Sequence, residues 1–377
     1  MAASALSTTA TTTKVWAVPR TGSLSNLVLQ PQPLPAPAAG QVRVAVRAIG
    51  LNFADVFCVL GLYTAFQGSL VPGLEFSGVV ETDGGDFKKG DRVYGTTRFG
   101  AYTTHLNADT RYLRPIPTGW SFAEAAAYPV QTITAYYALK ELGVMKPGHT
   151  VLVQSAAGGV GLQALRILEA VPDMSVLGVV GNPAKVDFLN KSFPTGSAPR
   201  KAWKFISREA GVSFRSQLST YVAAHEHIRG FDIVLDSVHG PAFQPSYDHL
   251  NPCGRYVLFG SASLAPSTIS LSPTTLTFYS PMNVVRMLTL AYKFLTRPRL
   301  DPMQLVQDNK AIMGYNLIWL YDKLELMSSM YEDLAAMNLR APHVGHQFAF
   351  DKLPDALAFF QTGQSVGKVV ITVPEKA

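Results

Sequence analysis

The chain has 377 residues, of which 47% are hydrophobic and 15% are charged, and its formal net charge is +6. This length and balance are typical of a well-cored globular protein with room for two domains, and they exclude a disordered chain. Lys and Arg are scattered, so the charge fits an anionic cofactor or a membrane surface and does not by itself indicate nucleic acid. Cys58 and Cys253 are the only cysteines, which excludes a disulfide framework and favours a reducing compartment.

Residues 1–13 are rich in Ser, Thr and Ala and contain neither arginine nor the apolar run of a secretory signal. We predict a disordered tail, with a short organellar presequence as the alternative. No window reaches about 18 consecutive apolar residues, so we predict no transmembrane helix. The most apolar region, residues 281–300, also carries Arg and Lys and is amphipathic.

The residues after the tail predict a β-rich region. Short alternating runs separated by Gly and Pro predict strands at residues 15–18, 27–29, 42–48, 78–81, 91–95 and 101–106. The proline-rich residues 31–37 cannot join a central sheet and are predicted to form a loop. Ser121 begins a capping box that opens a helix over residues 123–127, and a second helix follows at about residues 133–142.

Residues 150–161, TVLVQSAAGGVG, begin as a buried apolar strand and break into small residues before a helical pattern. The helix start offers free backbone N–H groups and a dipole that suit a phosphate. The spacing Ala156-x-Gly158-x-x-Gly161 is a variant of the dinucleotide fingerprint, although such turns also serve simply to pack a helix on a sheet. A strand at residues 176–180 completes a βαβ unit and favours the dinucleotide interpretation.

The residues after this second strand bear on the choice of nucleotide. Where an Asp or Glu would hold the ribose 2′-hydroxyl of NAD, the chain has Gly181 and Asn182, with Lys185 nearby. This favours NADP(H), although Lys185 could equally be a solvated helix lysine. Further strands at residues 232–235 and 254–259, alternating with helices, predict a doubly wound parallel sheet. The chain then ends with residues 346–350, a helix at 353–361 and a strand at 368–373.

Segments in this order resemble the medium-chain dehydrogenase/reductase superfamily, specifically the zinc-free quinone oxidoreductases related to zeta-crystallin. The resemblance runs from Lys14 to the C-terminus. Its segments are GLNFAD at 50–55, VPGLEFSG at 71–78, KGDRVY at 89–94, AAAYP at 125–129, TITAY at 132–136, AAGGVG at 156–161, FDIVLD at 231–236 and GKVVI at 367–371. The segment KAIMGYNL at 310–317 is most similar to the synaptic vesicle membrane protein (vesicle amine transport) branch.

The resemblance implies an α/β fold with a GroES-like β-rich catalytic domain and a doubly wound Rossmann nucleotide-binding domain. The catalytic domain would span residues 14–135 and be completed by residues 345–377, and residues 136–344 would form the Rossmann domain. The family also implies a homodimer, a small-molecule quinone or enone substrate and no nucleic-acid partner. We expect a cytoplasmic location, with peripheral membrane contact left open.

Zinc-dependent relatives have a Cys near the position of Asn52 and a His just before the Glu that aligns with Glu75. Here Asn52 and Leu74 occupy these places, and the four-cysteine lobe after Gly90 is missing. Because zinc needs three or four N, S or O ligands, we predict no metal.

The implied reaction takes a hydride from NADPH to a quinone or to the β-carbon of an α,β-unsaturated carbonyl. The resemblance implies Asn52 and Tyr63 as donors to the carbonyl oxygen and Asp55 as the acid that orients Asn52 or a water. From the residues alone, Asn52 could be a turn former, Tyr63 a packing residue and Asp55 a helix cap. The implied cofactor contacts are Thr134, Ala156, Ala157, Gly158, Gly159, Val160, Gly161, Asn182, Lys185, Ser207 or Arg208, Gly260, Ser261 and Lys368.

Two alternatives remain open. The first is a membrane-associated or lipid-handling protein on the same fold with weak or no reductase activity, with residues 281–300 at a membrane interface. Burial of that segment at a domain or subunit interface is the simpler interpretation. The second is an enoyl-thioester reductase, for which the sequence identifies no binding surface for a carrier arm.

Overall fold

The structure, a computed structural model, describes residues 11–63, 69–196, 200, 202–209, 211–264, 288, 291–292 and 294–375. In chain order its strands are β1 Thr11–Ala17, β2 Val28–Leu34, β3 Gln41–Gly50, β4 Glu75–Val80, β5 Arg92–Thr96, β6 His105–Asp109, β7 Leu113–Pro115, β8 Thr150–Gln154, β9 Ser175–Val180, β10 Trp203–Ser207, β11 Phe231–Asp236, β12 Leu250–Leu258, β13 Ala311–Gly314, β14 Val344–Ala349 and β15 Lys368–Thr372. Its α-helices are α1 Phe53–Leu60, α2 Phe122–Ala126, α3 Pro129–Tyr136, α4 Gly159–Glu169, α5 Pro183–Ser192, α6 Phe214–Ala223, α7 Phe243–Asp248, α8 Pro302–Asp308, α9 Leu324–Ala336 and α10 Leu353–Gln361.

These elements belong to two units. Unit 1 consists of Met1–Pro129, His346–Ala358 and Val369–Ala377, and unit 2 consists of Val130–Gly345 and Phe359–Lys368. The sequence placed the divisions after residue 135 and before residue 345 instead. The difference arises because nearly all of α3 belongs to unit 2, and because the chain returns to unit 2 once more before it ends in unit 1.

Unit 2 contains a six-stranded sheet with the strand order β10-β9-β8-β11-β12-β13. Each pair of neighbouring strands in it is parallel. The order runs outward in both directions from β8, so it reverses between β8 and β11. Doubly wound sheets bind ligands at the carboxyl ends of the strands beside such a reversal. The predicted Rossmann-type sheet is confirmed.

The central strands of this sheet are buried along their whole length. Every residue of β8 and β9 is buried, which explains their continuous apolar sequences. One core cluster joins Leu152 and Phe231 of the sheet to Leu218 of α6 and Phe243 of α7. This packing fixes the strand ends that carry the predicted nucleotide residues.

Unit 1 contains a seven-stranded sheet with the order β14-β15-β3-β4-β5-β7, and β6 also pairs with β3. The pairs that β3 forms with β4, β6 and β15 are antiparallel. The ten-residue β3 is therefore the centre of this sheet, and it leads directly into α1. The predicted β-rich character of this half of the chain is confirmed.

A separate antiparallel pair, β1 and β2, corrects two predictions. Residues 11–13, assigned to the disordered tail, are the first residues of β1. Pro31 and Pro33, assigned to a loop, lie in β2 opposite Lys14 and Thr12. A proline fits alternate positions of a two-stranded ladder, where the missing N–H would point away from the partner. The argument against a central strand holds, but the assignment to a loop was wrong for residues 31–34 and agrees with the structure only for residues 35–37.

No helix formed by the described residues combines the length and apolar character that crossing a membrane requires. Half of the amphipathic segment predicted at residues 281–300 lies outside the described part of the chain.

Candidate active site

The predicted phosphate-binding turn lies at the carboxyl end of β8, beside the reversal of strand order. Ser155 has a φ of 54°, and α4 begins directly after Gly158. A Cβ on Gly161 would lie 2.4 Å from the Ser155 carbonyl oxygen and 2.7 Å from the Ala156 Cα. Glycine at this position therefore lets the first turn of α4 pack directly on the strand end. The helix start, with its free N–H groups, is an anion-binding geometry.

The rest of the turn is divided between buried and partly exposed residues. Ala156 and Ala157 are buried, whereas Gly158, Gly159 and Val160 are half-buried. The alanines fill the space beneath the turn. Its glycine-containing part is the one that an approaching ligand would meet.

Two side chains border this turn, and the sequence analysis had identified only one of them. A Cβ on Gly159 would lie 2.0 Å from Gln131 Oε1 and 3.6 Å from Lys368 Cδ. Lys368, which was predicted, is 4% exposed and is held there because Gly367 N donates to the Ala157 carbonyl over 2.8 Å. Gln131, on α3, was missed. A single glutamine forms no spacing pattern that would identify it as a site residue. The only signal in the sequence is that Gln131 directly precedes the TITAY segment.

The residues predicted for the ribose end of the nucleotide follow β9 and β10. Asn182 caps α5, and its Oδ1 accepts from Lys185 N over 3.1 Å. Lys185 Nζ donates to the Gly363 carbonyl over 2.6 Å, and Arg208 Nη1 donates to Gln154 Oε1 over 3.2 Å. The structure therefore gathers all three predicted residues at the ends of two adjacent strands.

Lys185 and Arg208 are close enough to influence each other. Burial lowers the pKa of Lys185, and the positive charge of Arg208 lowers it further. Burial also lowers the pKa of Arg208, against the opposing effect of Asp236. Among the described residues, the ion pairs include neither cation. Two partly buried cations without a salt-bridge partner fit a phosphate group, such as the 2′-phosphate of NADPH.

Three further predicted cofactor residues lie on neighbouring elements. Gly260 and Ser261 follow β12, and a Cβ on Gly260 would lie 2.8 Å from the Ser237 carbonyl oxygen. This loop thus packs on the residues after β11, at the carboxyl edge of the sheet. Thr134 lies on α3, is 8% exposed, and its carbonyl accepts a hydrogen bond from Tyr315 Oη.

In unit 1, the structure brings Asn52 and Asp55 together at the start of α1. The backbone N–H of Asn52 donates to Asp55 Oδ2 over 2.8 Å. Its side-chain Nδ2 donates to Glu75 Oε1 over 2.8 Å and to the Gly50 carbonyl over 3.3 Å. Because Glu75 Oε1 and the Gly50 carbonyl both accept from the amide nitrogen, they fix which end of the Asn52 amide faces Glu75. Glu75 was not among the predicted site residues, although an acid in the apolar strand EFSGVV is a signal that could have identified it.

This cluster is buried and includes two further groups. Asp55, Glu75 and Tyr102 are 0% exposed, and Cys58 is 3% exposed. A Cβ on Gly50 would lie 2.6 Å from Glu75 Oε1, so glycine at the end of β3 makes room for the carboxylate. Burial, followed by the charge of Asp55, raises the pKa of both the Cys58 thiol and the Tyr102 phenol. Both groups therefore stay protonated at neutral pH, which disfavours a role for either as a base.

Tyr63 lies at the other end of α1. It follows the helix cap Gly61, whose φ is 72°, and its side chain is half-buried. The eight residues of α1 extend about 12 Å along the helix axis. The helix therefore does not itself place Tyr63 beside Asn52, and residues 64–68, which follow it, lie outside the described residues.

Within the described part of the chain, no three or more His, Cys, Asp or Glu side chains form a group that could hold a metal ion. Cys58 is buried and Cys253 is exposed. The expectation that the protein holds no metal stays a prediction.

Comparison with known proteins agrees with both halves of this architecture. The family model described as alcohol dehydrogenase GroES-like domain matches residues 38–135, and the one described as zinc-binding dehydrogenase matches residues 209–371. The synaptic vesicle membrane protein VAT-1 homolog of Mus musculus is 32% identical over 369 residues, which cover 94% of this chain and 82% of that protein.

Two solved structures extend the comparison. The quinone oxidoreductase from Thermus thermophilus, solved alone and with NADPH, gives a TM-score of 0.71 at 27% identity and covers 95% of this chain and 99% of that chain. The quinone oxidoreductase of Pseudomonas syringae pv. Tomato gives a TM-score of 0.72 at 25% identity and covers 96% and 99%. From these matches and the fold, we conclude that this chain belongs to the medium-chain dehydrogenase/reductase superfamily of oxidoreductases, in the family of the synaptic vesicle membrane protein VAT-1 homologues.

Proposed function

We propose that this protein is an NADPH-dependent oxidoreductase that transfers a hydride, without zinc, to a quinone or to the β-carbon of an α,β-unsaturated carbonyl. The observation that carries the proposal is the pair of partly buried cations, Lys185 and Arg208, at the strand ends that adjoin the glycine-containing turn. The 2′-phosphate that distinguishes NADPH from NADH would compensate their charge. The similarity to a quinone oxidoreductase solved with NADPH supports the same assignment.

In this proposal, the backbone of residues 156–161 receives the pyrophosphate, with Gln131 and Lys368 at the border of the turn. Asn182, Lys185 and Arg208 hold the ribose and its 2′-phosphate. Thr134, Gly260 and Ser261 complete the contacts to the nucleotide. When bound, NADPH supplies the hydride.

Unit 1 supplies the groups that stabilise the substrate. Negative charge develops on the carbonyl oxygen during hydride transfer, and a hydrogen-bond donor already in place stabilises it. Glu75 holds the Asn52 amide nitrogen at 2.8 Å, whereas the contact of that nitrogen with the Gly50 carbonyl is longer, at 3.3 Å. The hydrogen bond to the Gly50 carbonyl is therefore the weaker of the two. The Asn52 N–H that forms it can donate to a substrate oxygen instead, with little loss of free energy. Tyr63 is the proposed second donor, Asp55 holds the backbone of Asn52, and solvent provides the final proton.

The test is a titration of the purified protein with NADPH and NADH, followed by addition of a small quinone or enone and measurement of cofactor oxidation. We expect tighter binding of NADPH and a turnover that falls by about tenfold or more in Asn52→Ala and Tyr63→Phe, because each removes a donor. Tyr112→Phe, which removes a hydroxyl elsewhere in unit 1, is the matched control. Binding without turnover over a broad panel of acceptors would overturn the reductase assignment, and binding of neither nucleotide would overturn the whole proposal.

A second function is favoured by one observation. The side chains of Leu288, Tyr292, Phe294 and Leu295 have relative accessibilities of 63%, 68%, 54% and 65%. Exposed apolar side chains near a cation such as Arg297 are typical of a segment that lies at a membrane interface. In this alternative, the protein is membrane-associated or handles lipid. Sedimentation with anionic vesicles that decreases in Phe294→Ser would support it, and the absence of sedimentation would contradict it.

We also propose that the protein is a homodimer. The family resemblance motivates this, and β13 stands last in the strand order of the unit 2 sheet, where an edge can pair with a second copy. Light scattering coupled to size-exclusion chromatography tests it, and a monomer at every concentration would refute it.

A further inference from the structure

The carboxyl end of α4 and the loop after α9 line an open pocket of about 280 Å³ in unit 2. We call it the arginine pocket, and its lining residues are Arg166, Glu169, Ala170, Asn338, Leu339 and Arg340. The residues proposed to hold the nucleotide include none of these six. Along α4, Arg166 follows Gly161 of the nucleotide turn by five residues, or about 7.5 Å. The proposed function therefore assigns no role to this pocket.

Arg166 is the unusual member of the pocket. It is 9% exposed, and its Nη1 donates to two neutral oxygens, Gln163 Oε1 and the Arg340 carbonyl, each over 3.2 Å. Its Nε is buried and has no hydrogen-bond partner among the described residues. A buried guanidinium ordinarily has a carboxylate partner, because its loss of hydration is otherwise uncompensated. Within the described part of the chain, Arg166 forms no salt bridge.

The carboxylate in the pocket serves other cations. Glu169 Oε1 pairs with Arg200, and Glu169 Oε2 lies 3.8 Å from Arg340 Nη2. The pocket region thus has more positive than negative charge. Burial and, secondarily, the charge of Arg340 lower the pKa of Arg166 to about 10.

A cation in the last turn of a helix also interacts favourably with the helix dipole, and Arg166 occupies that turn of α4. An exposed lysine would serve the same purpose, so the dipole explains neither the burial of Arg166 nor the second arginine in the lining. Arg340 is 55% exposed and its guanidinium lies 5.1 Å from the centre of the Phe193 ring, which keeps the charge beside the pocket. An anion in the pocket would compensate both arginines at once.

We propose that the arginine pocket binds a phosphate group, either of a small free phosphomonoester or of a lipid headgroup, through Arg166 and Arg340. Guanidinium groups match phosphate oxygens in geometry as well as in charge. The volume is close to the lower end of the range for ligand pockets, about 300 Å³, and it accommodates a phosphate group, while the open side leaves room for the rest of the ligand.

The experiment measures binding of inorganic phosphate and glycerol 3-phosphate by phosphorus NMR at constant ionic strength. It uses the full chain with Lys185→Gln and Arg208→Gln, so that the cations proposed for NADPH cannot contribute. Saturable binding is expected, and Arg166→Gln or Arg340→Gln should weaken it by about tenfold or more, since each removes charged donors. Arg215→Gln is the matched control because Arg215, also in unit 2, already pairs with Asp248. It should leave the affinity unchanged.

Thermal unfolding without phosphate checks that the variants fold. Arg166→Gln should unfold at a temperature no lower than the parent chain, because it removes an uncompensated buried charge. Binding to vesicles that contain phosphatidic acid but to neither free probe would identify a lipid headgroup, and the reverse result would identify a free phosphomonoester. Binding that is absent from all arms, or that both pocket variants leave unchanged, would overturn the proposal. These outcomes do not depend on whether the protein reduces quinones.

Discussion

The nucleotide turn of unit 2 and the Asn52 cluster of unit 1 are built in different ways. The turn consists of consecutive residues, and its main requirement is the absence of side-chain atoms at Gly159 and Gly161. The cluster consists mainly of side chains from α1, its cap and β4, and its central contact joins Asn52 to Glu75, which are 23 residues apart. A site made from backbone is therefore sensitive to added atoms, whereas a site made from side chains is sensitive to the loss of a partner. The first two of the following predictions each test one side of this comparison, and the others extend it to neighbouring strand ends.

The largest effect is expected from Gly161→Val in the turn. A Cβ there would lie 2.4 Å from the Ser155 carbonyl, so α4 must shift away from the strand end. Overpacking of this kind costs about 1–3 kcal/mol of stability. Because the displaced N–H groups are those proposed to bind the pyrophosphate, NADPH affinity should fall by about a hundredfold, measured by fluorescence titration. Gly314→Ala is the control, since its Cβ meets only one atom, at an ordinary 3.8 Å. An unchanged affinity in Gly161→Val would show that the turn does not hold the nucleotide.

The corresponding change in the cluster is the loss of Glu75. Glu75→Ala leaves a buried N–H of Asn52 without its acceptor, which costs about 1–3 kcal/mol, and the amide loses its fixed orientation. Turnover should fall by about thirtyfold, whereas KM for NADPH should not change. Glu75→Gln keeps the shape and an acceptor oxygen, so it should retain most of the activity. Glu332→Gln, an exposed acid on α9, is the control for charge. Equal effects on turnover and on KM for NADPH would mean that Glu75 supports the fold alone.

A third prediction concerns pH and Lys185. Burial and then Arg208 lower its pKa below the ordinary 10.5. In the proposed site the charged form of Lys185 binds the 2′-phosphate, so its contribution to affinity is present below the pKa of Lys185 and is lost as pH rises through it. The preference for NADPH over NADH should therefore decline by about tenfold as pH rises from neutrality, and the decline should begin at a lower pH than for an ordinary lysine. Titration with both nucleotides across this range measures it. Lys185→Arg should keep the preference constant, and a wild-type preference that is flat in pH would contradict the assignment.

The difference between a site formed by consecutive residues and one formed by side chains distant in sequence also determines how much could be predicted from the sequence. The turn was predictable because its spacing is local, and the predicted bounds of α10 agree with the structure residue for residue. The contact between Asn52 and Glu75 depends on the register of β3 against β4, in which Ile49 lies opposite Phe76, and no local pattern states that register. Gln131 approaches Gly159 only through the packing of α3 on the turn. Long-range pairing of this kind placed the residues that the sequence analysis missed.

The smallest effect concerns His239, which follows β11 much as Ser155 follows β8. Both have a positive φ without being glycine, and the ψ of −158° at His239 belongs to a region that glycine alone adopts readily. Asp236 Oδ1 holds this backbone by accepting from His239 N over 2.8 Å. Because the strain costs about 1–3 kcal/mol, His239→Gly should raise the free energy of unfolding by about 1 kcal/mol in a denaturant titration.

The control for His239→Gly is His227→Gly, at an exposed position without a positive φ. It should lower the free energy of unfolding slightly, because glycine is more flexible in the unfolded chain. If both variants are destabilised equally, the contact between the His239 and Phe243 rings, whose centres lie 5.3 Å apart, outweighs the backbone strain. Aromatic pairs contribute about 0.5–1.5 kcal/mol, so this balance is close. That result would mean that side-chain contacts determine the structure at the end of β11, as they do in the Asn52 cluster. The turn after β8 would then be the one of these three sites whose structure depends on its backbone.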